Sequence, residues 1–177
     1  MQWSHPDTLG DVPPPCRAHT ATLVDRKIVI FGGGQGPDYY NTTYILDTTT
    51  RRWFFPEFPE AELSLPPEAD PVHPAPRRAH TAVFYSGKIY VFGGGNGMTA
   101  LNDLWTLDVS RLDTSLRNAS ASGDLSWTLV HTASDPPPAR GYHTANLVGN
   151  VMVIMGGSDG RECFSDVWCL NLGMAYS

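Results

Sequence analysis

The chain has 177 residues, of which 12 are Lys or Arg and 18 are Asp or Glu, for a formal net charge of −6 with only 17% of residues charged. A phosphate-binding surface needs clustered basic residues, so this balance argues against nucleic acid as a partner. No apolar run approaches the ~20 residues of a membrane span, Met1 to Gly10 lacks the basic-then-apolar pattern of a secretory leader, and the cysteines Cys16, Cys163 and Cys169 form no Cys-x-x-Cys pair. An odd number of unpaired thiols fits a reduced, cytoplasmic protein.

In chain order, residues 1–6 around Trp3 read as a short strand, and residues 13–55 as a first unit in which Ile28 to Phe31 precede Gly32-Gly33, followed by Tyr44 and Trp53. Residues 56–76 are rich in Pro, Glu and Ala and read as a surface loop. The second unit, 77–131, has β-branched and aromatic runs at Ala82 to Tyr85, Lys88 to Phe92, Leu104 to Leu107 and around Trp127, the composition of strands. Ser86-Gly87 is a two-residue hairpin signal, Gly93 to Asn102 reads as a longer loop, and Ser110 to Asp124 as an insertion. The third unit, 137–177, has Met152 to Met155 before Gly156-Gly157, then Trp168, and no fourth strand.

These units are copies of one another. Aligning the His-Thr-Ala triplets puts His19, His80 and His143 in register, 61 and 63 residues apart (80 − 19 and 143 − 80). The first glycine of each Gly-Gly then lies thirteen residues on (Gly32, Gly93, Gly156), and an aromatic lies twenty-five on (Tyr44, Trp105, Trp168). Such self-similarity indicates a repeat architecture. Trp3 lies sixteen residues before His19 as Trp127 lies sixteen before His143, so residues 1–6 are expected to be the fourth strand of a preceding or partner unit. A small four-stranded sheet cannot bury both faces alone, and radial stacking covers them.

Four apolar residues before a double glycine, then two spaced aromatics, resemble the kelch repeat. The resemblance implies an all-β fold, a kelch-type β-propeller with three four-stranded blades in this chain, forming either part of a ring or half of a six-bladed one. It also implies a non-catalytic protein-interaction module of the scaffold or adaptor kind, without cofactor or metal. The alternative is the propeller of a copper oxidase-like or iron-dependent specifier-like enzyme. Against it, no Glu-x-x-x-Asp-x-x-x-His run and no nucleophile elbow is present.

With strands a to d antiparallel, the b–c and d–a loops emerge on one face, where a rigid frame presents variable side chains. The candidate partner-binding residues there are Arg77, Arg78 and Arg140 on the d–a segments, with Tyr39, Tyr40, Asn96, Asp159 and Arg161 on the b–c loops. Guanidinium groups point to an acidic or polar peptide. Arg77 and Arg140 precede their histidines by three residues, a place taken by Cys16 in the first unit, so anchoring and ligand contact both remain open for them. The three histidines recur without a carboxylate or thiol partner at fixed spacing and are read as structural hydrogen-bonding groups rather than a metal ring.

Overall fold

A computed structural model describes residues 1–58, 68–112 and 125–173, and its elements are all strands. They are β1 (Leu9–Gly10), β2 (Thr20–Val24), β3 (Lys27–Phe31), β4 (Gly34–Gln35), β5 (Asp38–Tyr39), β6 (Thr43–Asp47) and β7 (Arg52–Phe54), then β8 (Thr81–Tyr85), β9 (Lys88–Gly95), β10 (Ala100–Asp108) and β11 (Ser126–Val130), then β12 (Thr144–Val148), β13 (Val151–Met155) and β14 (Val167–Asn171). The large sheets are antiparallel meanders. The first has the order β1-β7-β6-β3-β2, the second β11-β10-β9-β8 and the third β12-β13-β14, with β4 and β5 a small separate ribbon. β1 is the exception in direction, pairing parallel to β7 on the outer edge.

After their leading lysines, the b strands β3 and β9 are apolar because both of their faces are covered. In Lys-Ile-Val-Ile-Phe of β3, positions 27, 29 and 31 are buried and positions 28 and 30 half-buried. The core accordingly lies between sheets. Val29, Phe31 and Ile45 of the first sheet meet Ile89, Val91, Trp105, Leu107 and Trp127 of the second. Val83, Phe92 and Leu104 of the second then meet Met152 and Ile154 of the third. β2 packs beside β8, and β8 beside β12. The first strand of each sheet therefore lies next to its counterpart, where the small residues of His-Thr-Ala suit close approach.

Two expectations change in detail. Gly93 to Asn102 is not one open loop: β9 continues through Gly95, pairing Gly95 with Ala100 and Gly94 with Leu101, so the turn shrinks to residues 96–99. Asn96 closes it, its Oδ1 accepting from the Met98 and Thr99 amides, both at 2.9 Å. At the amino end, residues 1–8 form no strand and Trp3 is 98% exposed, so the strand expected over residues 1–6 has no pairing partner among the described residues. Ser86 and Gly87 both adopt positive φ, 48° and 79°, as a type I′ hairpin requires. Of the two long connections, residues 59–67 and 113–124 lie outside the described set. No helix among the described residues is long and apolar enough to cross a membrane.

Ala82 on β8 packs against the core shared by the first two sheets. Replacing it by Phe is expected to overpack that junction and to lower unfolding free energy by about 1–3 kcal/mol, seen as an earlier urea midpoint. An unchanged midpoint would show that β8 has room on its inner side.

Candidate functional site

Each junction between sheets is latched by one histidine. His80 reaches back to the first sheet, its Nε2 lying 3.1 Å from the Phe31 carbonyl and 3.0 Å from Thr20 Oγ1. His143 repeats this against the second sheet, with Nε2 at 2.8 Å from Thr81 Oγ1. Gly32 and Gly93, the first glycines of their pairs, make room for these contacts. A Cβ at Gly32 would lie 2.6 Å from His80 Cε1 and 2.9 Å from the Arg77 carbonyl, and φ there is +67°. Burial, reinforced by the neighbouring Arg77 charge, lowers the pKa of His80 to about 3. Burial and Arg140 lower that of His143 to about 4. Both rings are neutral at pH 7, and a neutral ring whose Nε2 donates to a carbonyl suits this position.

Three residues before each latch sits a buried arginine. Arg77 has no exposure and spends its donors internally: Nη1 and Nη2 grip Asp103 at 2.7 and 2.8 Å, Nη1 also donates to the Gly93 carbonyl, and Nε to that of Ala75. Arg140 does the same with Asp166 and the Gly156 and Pro138 carbonyls. It also lies over the Phe164 ring, 4.2 Å from its centre. Burial pushes the Asp103 carboxyl up, but hydrogen bonds from Arg77 and its charge outweigh this and hold it below the usual range. Hydrogen bonds from Arg140 and Trp168 depress Asp166 further. The reading of Arg77 and Arg140 as partner-contacting residues is thereby corrected. A guanidinium with no exposure, gripped bidentately by a carboxylate, presents no surface to a ligand.

What does reach the surface lies between the arginine and the histidine: Arg78 and Ala79 are half-buried and Tyr142 is exposed, while Gly141 is buried. Ala18, Ala79 and Tyr142, each just before its histidine, adopt left-handed backbone with φ of 58°, 59° and 60°. Their peptide groups link sheet to sheet, the Ala79 amide donating to the Ala18 carbonyl at 3.0 Å and that of Tyr142 to Ala79 at 2.9 Å. A non-glycine residue pays a steric cost in this region, which the linkage offsets. Around it lies a depression of about 560 Å³ whose walls include Arg17, Tyr39, Arg78, Met98, Tyr142 and Asp159. Tyr142 is 80% exposed and Met98 91%.

Of the residues expected on this face, Tyr39, Arg78 and Asp159 line the depression. The Arg78 guanidinium stacks over the Tyr39 ring at 4.2 Å and donates through Nη2 to the Gly36 carbonyl at 2.6 Å; its Nε is buried without a partner. Asn96 and Asp159 shape their loops: Asp159 Oδ1 accepts from the Arg161 and Glu162 amides. Tyr40 serves through its backbone, its carbonyl accepting from the Arg77 amide. Asn96, Tyr40 and the exposed Arg161 stand outside the depression's lining. Arg17 and Tyr142 were not singled out from sequence, although their place beside each histidine marks them once the repeats are aligned. No group of three or more His, Cys, Asp or Glu side chains among the described residues is arranged to hold a metal ion.

The KLHDC2/KLHL20/DRC7 Kelch-repeats domain matches residues 1–125 and again 66–175, covering nearly all of this repeat architecture. The chain belongs to the kelch-repeat family. Among similar proteins, host cell factor 2 of Homo sapiens is 32% identical over 172 residues, covering 86% of this chain and 19% of that protein. Host cell factor of Drosophila melanogaster is 30% identical, covering 96% of this chain and 11% of its own length. Kelch domain-containing protein 3 of Rattus norvegicus is 28% identical over 144 residues, covering 81% of the chain and 32% of the relative. The chain thus spans less than a third of each of these relatives.

Within the kelch units the Arg–Asp clamp is present twice and replaced as a pair in the first, where Cys16 and Thr42 stand at the arginine and aspartate positions. Cys16 Sγ instead lies 3.4 Å from His19 Nδ1. Asp103→Asn would leave Arg77 buried without its counter-charge and is expected to cost about 3–5 kcal/mol in urea unfolding. A loss under 1 kcal/mol would mean that the guanidinium rehydrates.

The latches also set a pH dependence. His80 takes up a proton near pH 6.5 when unfolded but only near pH 3 when folded. Its stabilisation is therefore complete above about pH 6.5 and is lost as pH falls through the folded value. The urea midpoint should fall between pH 6.5 and 4, and His80→Asn should flatten that slope.

Proposed function

We propose that this kelch chain is a non-catalytic protein-interaction module of the scaffold or adaptor kind, binding an acidic or polar peptide segment of a partner protein in the loop-face depression. The observation that carries this reading is the composition of the depression: Arg17, Arg78, Tyr39, Tyr142 and Met98 stand together on one face of a braced framework. Arg, Tyr and Met are the residue types enriched in binding surfaces, and an aromatic or arginine anchor commonly dominates affinity. The two guanidinium groups favour carboxylates. The acidic balance of the chain as a whole supports a protein rather than a nucleic-acid partner, and the unpaired cysteines fit a reduced, cytoplasmic setting. In this reading the three sheets are part of a larger ring, completed by further blades of one polypeptide or by a second copy.

Selection from a displayed peptide library should yield Asp- and Glu-rich binders. Arg78→Ala and Tyr142→Ala are expected to weaken the selected peptide tenfold or more, with the native circular dichroism spectrum retained, whereas Lys88→Ala on the far side leaves binding intact. Binders without acidic residues, or affinity indifferent to both changes, would overturn the proposal.

A further inference from the structure

The two junctions between sheets share one backbone pattern, but on the loop face a side chain fills the first and none fills the second. Arg78 enters the second sheet two residues before His80 and reaches back over the b–c loop of the first. There its Nη2 donates to the Gly36 and Asp38 carbonyls at 2.6 and 2.5 Å, and the guanidinium lies 4.2 Å from the centre of the Tyr39 ring. The space above Gly34 is taken up by this side chain: a Cβ there would lie 2.5 Å from Arg78 Nε and 2.7 Å from Nη2.

One repeat further on, the arginine is replaced by Gly141 (141 − 78 = 63, the spacing of the histidines), while Gly34, Gly36, Asp38 and Tyr39 correspond to Gly95, Gly97, Thr99 and Ala100. The backbone arrangement is kept. Gly141 bridges Ser158 as Arg78 bridges Gly95, and the Tyr142 amide donates to Ala79 as that of Ala79 donates to Ala18. The filling is not kept, since a Cβ at Gly95 would meet only the Thr99 carbonyl, at 3.7 Å. Gly95, Gly97, Thr99, Ala100 and Gly141 all line the loop-face depression. Part of that depression is therefore the space that an arginine side chain occupies one junction earlier.

The groups that would receive a guanidinium are in place. Among the described residues the Gly97 carbonyl accepts no backbone hydrogen bond, and the Thr99 carbonyl accepts one, from the Asn96 amide at 3.2 Å. Asp159, in the same lining, accepts from the Arg161 and Glu162 amides through Oδ1, both at 2.8 Å, and leaves Oδ2 without a hydrogen bond. Those amides hold its carboxyl below the usual range, so it is charged at pH 7. Tyr142, next to Gly141 and 80% exposed, has no cation over its ring, whereas Tyr39 has Arg78. The charged side chains of the lining are thus Arg17 and Arg78 from the first two units and Asp159 from the third.

We infer that a partner protein inserts an arginine side chain into this depression above Gly95, its guanidinium donating to the Gly97 and Thr99 carbonyls with Asp159 as counter-charge. A planar fork bridges two carbonyls and stacks on an aromatic ring, which an ammonium cannot do. The inference rests on the peptide-binding reading and sharpens it: the bound segment is bipolar, with its acidic residue at Arg17 and Arg78 and its arginine one sheet further along the row. Complementary charge at both ends would fix the direction in which the segment lies.

Titration of the 177-residue chain with N-acetylarginine amide, followed by backbone amide chemical shifts, tests the subsite without any selected peptide. Saturable shifts at Gly95, Gly97 and Thr99 are expected at millimolar probe, and none from N-acetylnorleucine amide, which has no cation. Asp159→Asn keeps the Oδ1 acceptor and should weaken the probe about threefold. Gly141→Arg supplies the guanidinium from the chain itself. Its Cβ would meet nothing closer than 3.5 Å and its φ lies outside the left-handed region, so the variant should fold and lose the probe shifts, while Gly141→Ala retains them. No saturable shift, equal shifts from the norleucine probe, or probe binding retained in Gly141→Arg would each overturn the inference. If Gly141→Arg does not fold, unchanged probe affinity in Asp159→Asn overturns it instead. In the peptide selection, binders should carry arginine at a fixed offset from their acidic residue. Acidic binders without arginine would overturn this inference and leave the acidic-peptide reading standing; arginine-bearing binders without acidic residues would do the reverse.

Discussion

The structure depends on a guanidinium that has been taken wholly out of water. Removing an arginine from solvent costs several kcal/mol, recovered only when its donors are met in good geometry. Arg77 and Arg140 achieve this with a bidentate carboxylate and two backbone carbonyls each. Each clamp ties the segment that enters a sheet to the third strand of that same sheet: Arg77, on the approach to the second sheet, grips Asp103 in β10, and Arg140, on the approach to the third, grips Asp166 just before β14. The Arg77 and Arg140 carbonyls meanwhile accept from the Gly33 and Gly94 amides of the sheets before them. One residue therefore joins strand order within a blade to packing between blades.

The histidine latch completes that arrangement at low electrostatic cost, because its ring is kept neutral. A charged imidazolium beside a buried arginine would be unfavourable on both desolvation and repulsion, and the depressed pKa values of His80 and His143 express this. The double glycine serves the same junction twice. Its first member leaves space for the next blade's histidine, and its second lets the chain's own entry segment approach, as a Cβ at Gly94 would lie 2.6 Å from the Arg78 carbonyl.

With the junctions held from behind, the left-handed residues Ala18, Ala79 and Tyr142 stand at the front as a backbone-linked row. That row fixes where Arg17, Arg78 and Tyr142 project. A binding surface built on such a row loses little conformational freedom on complex formation, which favours affinity. The first unit shows how far the plan can vary. Losing arginine and aspartate together, to Cys16 and Thr42, avoids the unpaired buried charge that losing either alone would leave.

Fold class, repeat register, strand order and the Ser86-Gly87 hairpin were all legible in the sequence, because side-chain period and turn chemistry are local properties of a few adjacent residues. The face shared by the b–c and d–a loops followed from antiparallel order alone. The same reasoning could not separate Arg77 from Arg78, neighbours in sequence with opposite fates: one is sealed under the sheet, the other lies over Tyr39 at the surface. The joint replacement by Cys16 and Thr42 was the available sign of a paired role, but it points to Asp103 only once the two are known to meet at 2.7 Å across twenty-six residues. Nor did the pattern Gly93-Gly94-Gly95 reveal that β9 extends through it, since pairing with Ala100 and Leu101 is what makes those glycines a strand. Composition and spacing determined what each segment can form. Which polar groups are buried, and which are left for a partner, was decided by the adjoining sheet, because desolvation depends on what packs against a residue from elsewhere in the chain.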